Sequence, residues 1–354
     1  MAIIKTVLTS KNLPPSPSNK TGWCWTEQSQ ILPLISADRV EYPLITIITP
    51  SYNQAEFLEE TIRSVLLQSY PNLEYIIIDG GSTDGSVEII RKYEPYLAYW
   101  VSESDRGQSD ALNKGFKRAT GDLIGWQNSD DTYQPHAFEY AAKTYLSHPE
   151  VDVIYGLVKH IDRESQFIAD YPVQPATIKN MIPYSAVTNH SVFYTAKIFQ
   201  EENFIDINLK HCMDQEFILR LLLKQYKFIF EPKIIANWRL YDLTKSSQQM
   251  DIWAIEAFQL CQQVYFDKTC DREIRDKAKS CLYGLCLDNF AKGRAKIFRQ
   301  TVGELVKMFG IQSVISGIGL KYGLSWVGEE NLKKLITIKE QVRSQIYSQI
   351  KSNG

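Results

Sequence analysis

Long apolar runs are missing from this sequence. Nowhere in its 354 residues do about 18 apolar residues follow one another unbroken, so no segment reads as a membrane span. Net charge is also small, with 39 Lys and Arg against 41 Asp and Glu. That balance offers no broad basic field for nucleic acid and no acidic tail. Cysteine is sparse. Cys24, Cys212, Cys261, Cys270, Cys281 and Cys286 form no C-x-x-C pair and no zinc-ligand spacing. Reduced thiols packed in a core are therefore expected. Residues 1–20 hold no long apolar stretch and soon turn rich in Pro and Ser, so no secretory signal is expected. These absences point to a cytoplasmic protein with no nucleic-acid partner. No internal repeat or low-complexity tract is present.

Apolar residues nevertheless make up 44% of the chain, enough for a sizeable core. Residues 1–40 read as an arm, broken by Pro14, Pro15 and Pro17, with Trp23 and Trp25 available to pin it. Leu44 to Thr49 is a short β-rich run and reads as a buried strand. Ser51 or Asn53 can cap the next helix, whose Leu58, Ile62, Val65 and Leu66 share one face. Strand 73–78, helix 86–93, strand 97–101, helix 109–119 and strand 122–127 follow. This alternation argues for a parallel α/β sheet. Beyond residue 150 the pattern mixes strands at 151–156, 187–194 and 227–230 with a helix at 214–223. From about 248 the sequence reads as helices. The expected division is an arm (1–40), a sheet domain (41–247, with halves at 41–135 and 136–247) and a helical region (248–354).

Ligands of an open α/β sheet sit beyond the carboxyl ends of its strands. Three polar clusters lie there: Thr49-Pro-Ser-Tyr-Asn53, Asp79-Gly-Gly-Ser-Thr-Asp-Gly-Ser86 and Gln127-Asn-Ser-Asp-Asp131. Adjacent carboxylates repel unless a hard cation or water neutralises them, and Mg²⁺ uses one or two carboxylates plus phosphates. Asp130-Asp131 suits that role, though Asp-Asp-Thr is also good turn chemistry. Gly80, Gly81 and Gly85 allow close approach of a ligand, or Ser82 and Asp84 cap the following helix.

Taken with Asn113-Lys-Gly115, these runs resemble the family-two glycosyltransferases, inverting enzymes of the GT-A fold, from Ile45 to about Pro135 and more weakly to about 245. The resemblance implies a GT-A-like α/β fold, a mixed and mostly parallel sheet flanked by helices, with a C-terminal helical extension. It implies transfer of a sugar from a UDP-, GDP- or TDP-sugar to a saccharide or lipid-linked acceptor, in cell-surface polysaccharide or glycan synthesis. The implied cofactor is Mg²⁺ or Mn²⁺. Pro50, Tyr52 and Asn53 would hold the nucleotide, with Tyr52 stacked on the base and Asp79 accepting a hydrogen bond from it. Asp130 would lie near the ribose, and Asp131 would hold the metal on the diphosphate. Asn128 stands where many relatives carry the first acid. Arg106 would contact phosphate or sugar, or serve only as a surface arginine.

Inversion needs a carboxylate to take the acceptor's proton. The matching acidic pair is Met213-Asp-Gln-Glu216, with Asp214 as base and Glu216 as second candidate; the competing reading of Asp214 is a helix cap. His190 would face the acceptor or be buried structurally. Tyr241 replaces the His of an Arg-x-His pattern, which counts against a metal contact there. Lys245 and Ser246 would belong to a loop closing over the donor.

Two other functions remain open. A sugar nucleotidyltransferase would carry a glycine- and basic-rich loop after the first strand, where this chain has Ser51-Tyr-Asn-Gln-Ala55. A non-catalytic nucleotide-sugar-binding protein would lack the acids. Gly310–Val327 is mostly apolar, with Lys321 its one charge. Buried helix packing and peripheral contact with the inner face of a membrane are its two readings.

Overall fold

The computed structural model describes residues 7–35, 39–242, 250–315, 318–338 and 341. Strands β1 (Ile45–Ser51) and β2 (Leu73–Asp79) are buried along their whole length, as their continuous apolar runs require in a sheet covered on both faces. Helix α1 (Ala55–Leu66) joins them and buries Leu58, Ile62, Val65 and Leu66. Helix α2 (Ser86–Tyr93) leads to β3 (Tyr99–Ser102), and α3 (Gln108–Phe116) leads to β4 (Leu123–Trp126). Helix α3 packs closely on β1 at Gly115, where a Cβ would stand 2.5 Å from Ile48.

The rest of the sheet comes from β5 (Thr132–Tyr133), β6 (Val153–Ile161), β7 (Phe167–Asp170), β8 (Val192–Thr195) and β9 (Phe228–Arg239). Helices α4 (Ala137–Ser147), α5 (Ala196–Gln200) and α6 (Met213–Leu223) are interleaved with them. The strand order is β3-β2-β1-β4-β8-β6-β9-β5, with β7 beside β6. Ladders among β1 to β4 are parallel. Strand β8 runs antiparallel to both β4 and β6, and β9 runs parallel to β6. The expected mixed α/β sheet is the one observed. Because β1, β2 and β4 run the same way, Ser51, Asp79 and the segment after Trp126 emerge on one edge.

The segment before β1 is tied to the sheet domain. Buried Arg63 of α1 donates to the carbonyls of Pro14, Cys24 and Trp25, and the Trp23 indole donates to the Tyr133 carbonyl at 2.8 Å. Contacts divide the chain into two compact units. One comprises Met1–Met181 with Ser185–Ser247, and the other Ile182–Tyr184 with Gln248–Gly354. The second is built on α7 (Met250–Phe266), α8 (Arg272–Ala291) and α9 (Ala295–Phe309). Asp271 caps α8 by accepting the Ile274 N–H at 2.8 Å. Among the described residues no helix is long and apolar enough to cross a membrane.

Candidate active site

The loops after β1 and β2 are joined by side chains. Asn53, at φ 52°, donates its N–H to Ser82 Oγ and accepts the Thr83 N–H on its amide oxygen. Gln54 donates to Ser86 Oγ, and Asp84 accepts the Ala55 N–H. Neither Ser51 nor Asn53 caps α1: its N-cap residue is Gln54, the Asn53 amide oxygen is taken by Thr83, and Ser51 Oγ is buried without a partner among the described residues. The left-handed turn at Asn53 sends that amide across to the neighbouring loop, and Asp84 takes over from outside. Tyr52 projects from this frame with 63% of its surface exposed, while Pro50 lies within β1.

Asp79 is fully buried. One oxygen accepts from Ser82 Oγ at 2.6 Å; the other accepts from Gly81 N, Ser82 N and Ser102 Oγ. The carboxylate thus holds its own loop. Gly80 follows, and a Cβ there would stand 2.9 Å from Asp105 Oδ2. Asp105 therefore occupies the space beside the end of β2. Its Oδ1 accepts the Gly107 N–H at 2.8 Å. The sequence reading missed this residue, although consecutive glycines at a strand end signal close approach by some other group. Arg106 is largely exposed and pairs with Asp110 at 3.1 Å, four residues along the chain.

The two adjacent acids after β4 differ sharply. Asp131 is buried, and its Oδ1 accepts the Arg239 N–H at 2.8 Å. Its Oδ2 faces the Asn128 amide and His190 Nε2, each at 3.0 Å. Both oxygens are thus engaged by the protein. The Asp130 carboxylate accepts from the Tyr241 hydroxyl at 3.0 Å on Oδ2 and is also bonded by its own backbone N–H. Burial and the charge of Asp131 push Asp130 up to about 7, against the pull of that hydroxyl. Arg239 binds the Asp130 carbonyl, which fixes the turn.

His190, in the short turn before β8, links this turn to β9. Its ring stacks on Trp238 at 4.8 Å, and Trp238 also meets His160 and Tyr171. Burial lowers the imidazole's basicity, but the charge and hydrogen bond of Asp131, with help from Asp214 and Asp130, outweigh it and raise the pKa. All three carboxylates thus act on one ring. Asp214 lies in the first turn of α6. In the orientation its neighbours require, the Asn189 amide donates to Asp214 Oδ2 at 3.2 Å and accepts from the Trp126 indole. Glu216 is tied instead to Arg220, at 2.8 and 3.1 Å. Lys245 and Ser246, expected in a closing loop, lie outside the described residues.

Residues 46–220 match the family model described as glycosyl transferase family 2. An uncharacterized glycosyltransferase of Mycobacterium tuberculosis is 31% identical over 192 residues, covering 51% of this chain and 70% of that protein. Chondroitin synthase of Escherichia coli is 25% identical over 221 residues, covering 61% of this chain and 32% of that protein. Among solved structures, S. aureus TarS 1–349 in complex with UDP-GlcNAc superposes with a TM-score of 0.60 at 16% identity, covering 85% of this chain and 92% of that one. The mannosyltransferase PcManGT from Pyrobaculum calidifontis, in complex with GDP-Man and Mn²⁺, gives 0.52 at 18% identity, with 86% of each chain covered. The sheet order, the strand-end carboxylates and these matches agree: the chain belongs to glycosyl transferase family 2.

Proposed function

We propose that this glycosyltransferase moves a sugar from a nucleoside-diphosphate sugar to an acceptor hydroxyl with inversion, in the assembly of a polysaccharide or surface glycan. The observation that carries the reading is a pair of carboxylates from separate segments. Asp130 is held by the Tyr241 hydroxyl and Asp214 by the amide of Asn189, the residue before His190, and neither has a Lys or Arg within ion-pair distance among the described residues. Asp214 serves as the base, its carboxylate held in place by the Asn189 amide. The nucleotide ligands of TarS and PcManGT support a nucleotide-sugar donor, and chondroitin synthase supports polysaccharide assembly.

The cation fits Asp130 better than Asp131. A cation at Asp131 would have to displace the Arg239 N–H, the Asn128 amide and His190 from a buried carboxylate. Asp130 instead carries a charge that burial and its neighbour disfavour, offset only in part by the Tyr241 hydroxyl, its own backbone N–H and His190. No cluster of three or more His, Cys, Asp or Glu side chains suited to a metal occurs among the described residues. That suits Mg²⁺ or Mn²⁺ held by one carboxylate, with phosphates and water completing the shell. When bound, such a cation neutralises the departing diphosphate. Tyr241 holds Asp130 in position through its hydroxyl.

Tyr52 stacks on the base. The base's imino N–H pairs with Asp105 rather than Asp79, whose oxygens are engaged within the loop. Asp105→Asn keeps the Oδ1 contact with Gly107 but replaces the free carboxylate oxygen with a donor. UDP and GDP, whose bases carry an imino N–H, should bind at least tenfold more weakly to this variant, while CDP should not. Asp214→Asn should bind donor normally and lose roughly 10²-fold or more in turnover. Calorimetric titration with Mn²⁺ and a transfer assay read both. Wild-type turnover in Asp214→Asn, or no binding of any nucleotide to the native protein, would overturn the reading.

A further inference from the structure

The C-terminal unit carries an exposed apolar surface that the transfer reaction does not use. Leu320 is 82% exposed and Trp326 66%, with Leu324 and Val327 also open to solvent. Of the 21 large apolar side chains exposed in the described residues, eight fall within 311–338. The segment is not simply unpacked, because Val314, Ile318 and Leu332 are buried. It therefore has an inner face and an outer apolar face. Buried helix packing, one of the two readings of Gly310–Val327, holds for Val314 and Ile318 and fails for Leu320 and Trp326. Isolated surface hydrophobes need no explanation, but a concentration like this one does.

Charge distinguishes among occupants. Residues 292–354 hold eleven Lys and Arg against four Asp and Glu, whereas residues 1–291 hold 28 against 37. The near-neutral total hides a strongly basic C-terminal region. Basic groups adjoin the apolar face directly: Arg299 lies 4.6 Å from the centre of the Trp326 ring and donates to the Ser325 carbonyl, and Lys321 follows Leu320. A second copy of this chain would bring a like-charged surface against it. Aliphatic side chains, an indole and clustered cations are instead what the interface of an anionic bilayer accommodates, with the indole at headgroup level and the cations near lipid phosphates.

We propose that the surface around Leu320, Leu324, Trp326 and Val327 docks the C-terminal unit onto an anionic lipid bilayer, lying in its interface without spanning it. This goes beyond the donor site and does not depend on it. The test is flotation of the full chain with phosphatidylcholine vesicles, with and without about 30% phosphatidylglycerol. Binding should require the anionic lipid and fall at least tenfold between about 0.1 and 0.5 M salt, as the Debye length shrinks. Leu320→Ser with Trp326→Ser should lower partitioning at least tenfold. Lys321→Glu with Lys334→Glu should do the same with the apolar side chains intact. Leu320, Trp326 and Lys334 are exposed and Lys321 is half-buried, so an unchanged melting temperature of each double variant checks that the fold survives. The proposal is overturned if the native chain ignores anionic vesicles or if both double variants bind them like wild type. It also fails if the face instead buries itself in a dimer that Leu320→Ser with Trp326→Ser dissolves. Vesicle binding needs no nucleotide, so its failure would leave the transferase reading standing.

Discussion

At the scale of single residues, neighbouring acids of the same type have opposite roles. Asp131 accepts from a backbone N–H, an amide and an imidazole, all in the interior. Removing it leaves those donors without an acceptor, and His190 Nδ1 is already a buried atom with no partner among the described residues. Breaking a buried pair of this kind costs on the order of 3–5 kcal/mol. Asp131→Ala should therefore lower the unfolding free energy from urea titration by that amount and move the midpoint down with it, whether or not a cation is present. Asp130→Ala should behave differently. The folded state raises its pKa to about 7 from 3.8. The ionised form is thus disfavoured by folding, and its cost appears as pH rises from 3.8 through 7. Deleting it should leave stability equal or higher near neutral pH and abolish cation-dependent donor binding. If Asp131→Ala instead unfolds at the wild-type midpoint and loses only cation dependence, the metal returns to Asp131.

At the scale of elements, two helices share one carboxylate. Asp84 Oδ2 accepts the first N–H of α1, and Oδ1 accepts the N–H and hydroxyl of Ser86 at the start of α2. Burial alone would raise the Asp84 pKa, but these hydrogen bonds outweigh it and lower it below the usual 3.8. A lowered carboxyl pKa gives stability that is full above the unfolded value and is lost as pH falls through the folded one. Asp84→Ala should therefore cost about 1–2 kcal/mol near pH 7, two capping contacts' worth. The gap to wild type should close as pH drops below about 3.8. A gap that stays constant down to pH 2.5 in denaturant titrations would rule out the charge as its source. The hold of Asp84 on the start of α2 was legible in the sequence; its hold on α1 was not. The elements themselves were, where local pattern decides them: β1, β2, α2 and α6 follow their apolar runs and periods. Strand β9 extends to Arg239, well past the expected 230, because pairing with β6 holds it extended. Strand β5 is two residues long and exists by pairing with β9. The site was legible as a set of strand-end acids. Which of them are engaged inward was not, because the partners are remote: Ser102 lies 23 residues from Asp79, and Arg239 lies 108 from Asp131.

At the scale of the whole molecule, composition was informative where it was uneven and misleading where it averaged. The net charge of −2 is the sum of an acidic body and a basic C-terminal region, so the inference of no basic field holds for the total and fails locally. Cysteine behaves more uniformly. All six cysteines are buried and outside any disulfide, as their scattered spacing implies. They still differ in reactivity, which requires both access and thiolate. Cys24 has neither: it is 0% exposed, and burial with the charge of Glu60 pushes its pKa far up. Cys286 is pushed up to about 11 by burial. Cys281 is the most accessible of the six at 6%, and its hydrogen bond with the Cys261 thiol, opposed by burial and aided by Lys277, lowers it to about 7. At pH 8 a thiol of that pKa is about nine-tenths thiolate, against well under a tenth for one at 11. A disulfide reagent added to the native chain at pH 8 should therefore modify Cys281 first, as peptide mass mapping would show. Raising the pH from 6 to 8 should speed that reaction roughly tenfold or more, following the thiolate fraction. Cys24 should react only when the sheet domain opens, in step with its urea unfolding. Early labelling at Cys24 would mean that the segment carrying it leaves Arg63 under native conditions, contrary to the three carbonyls that hold it there.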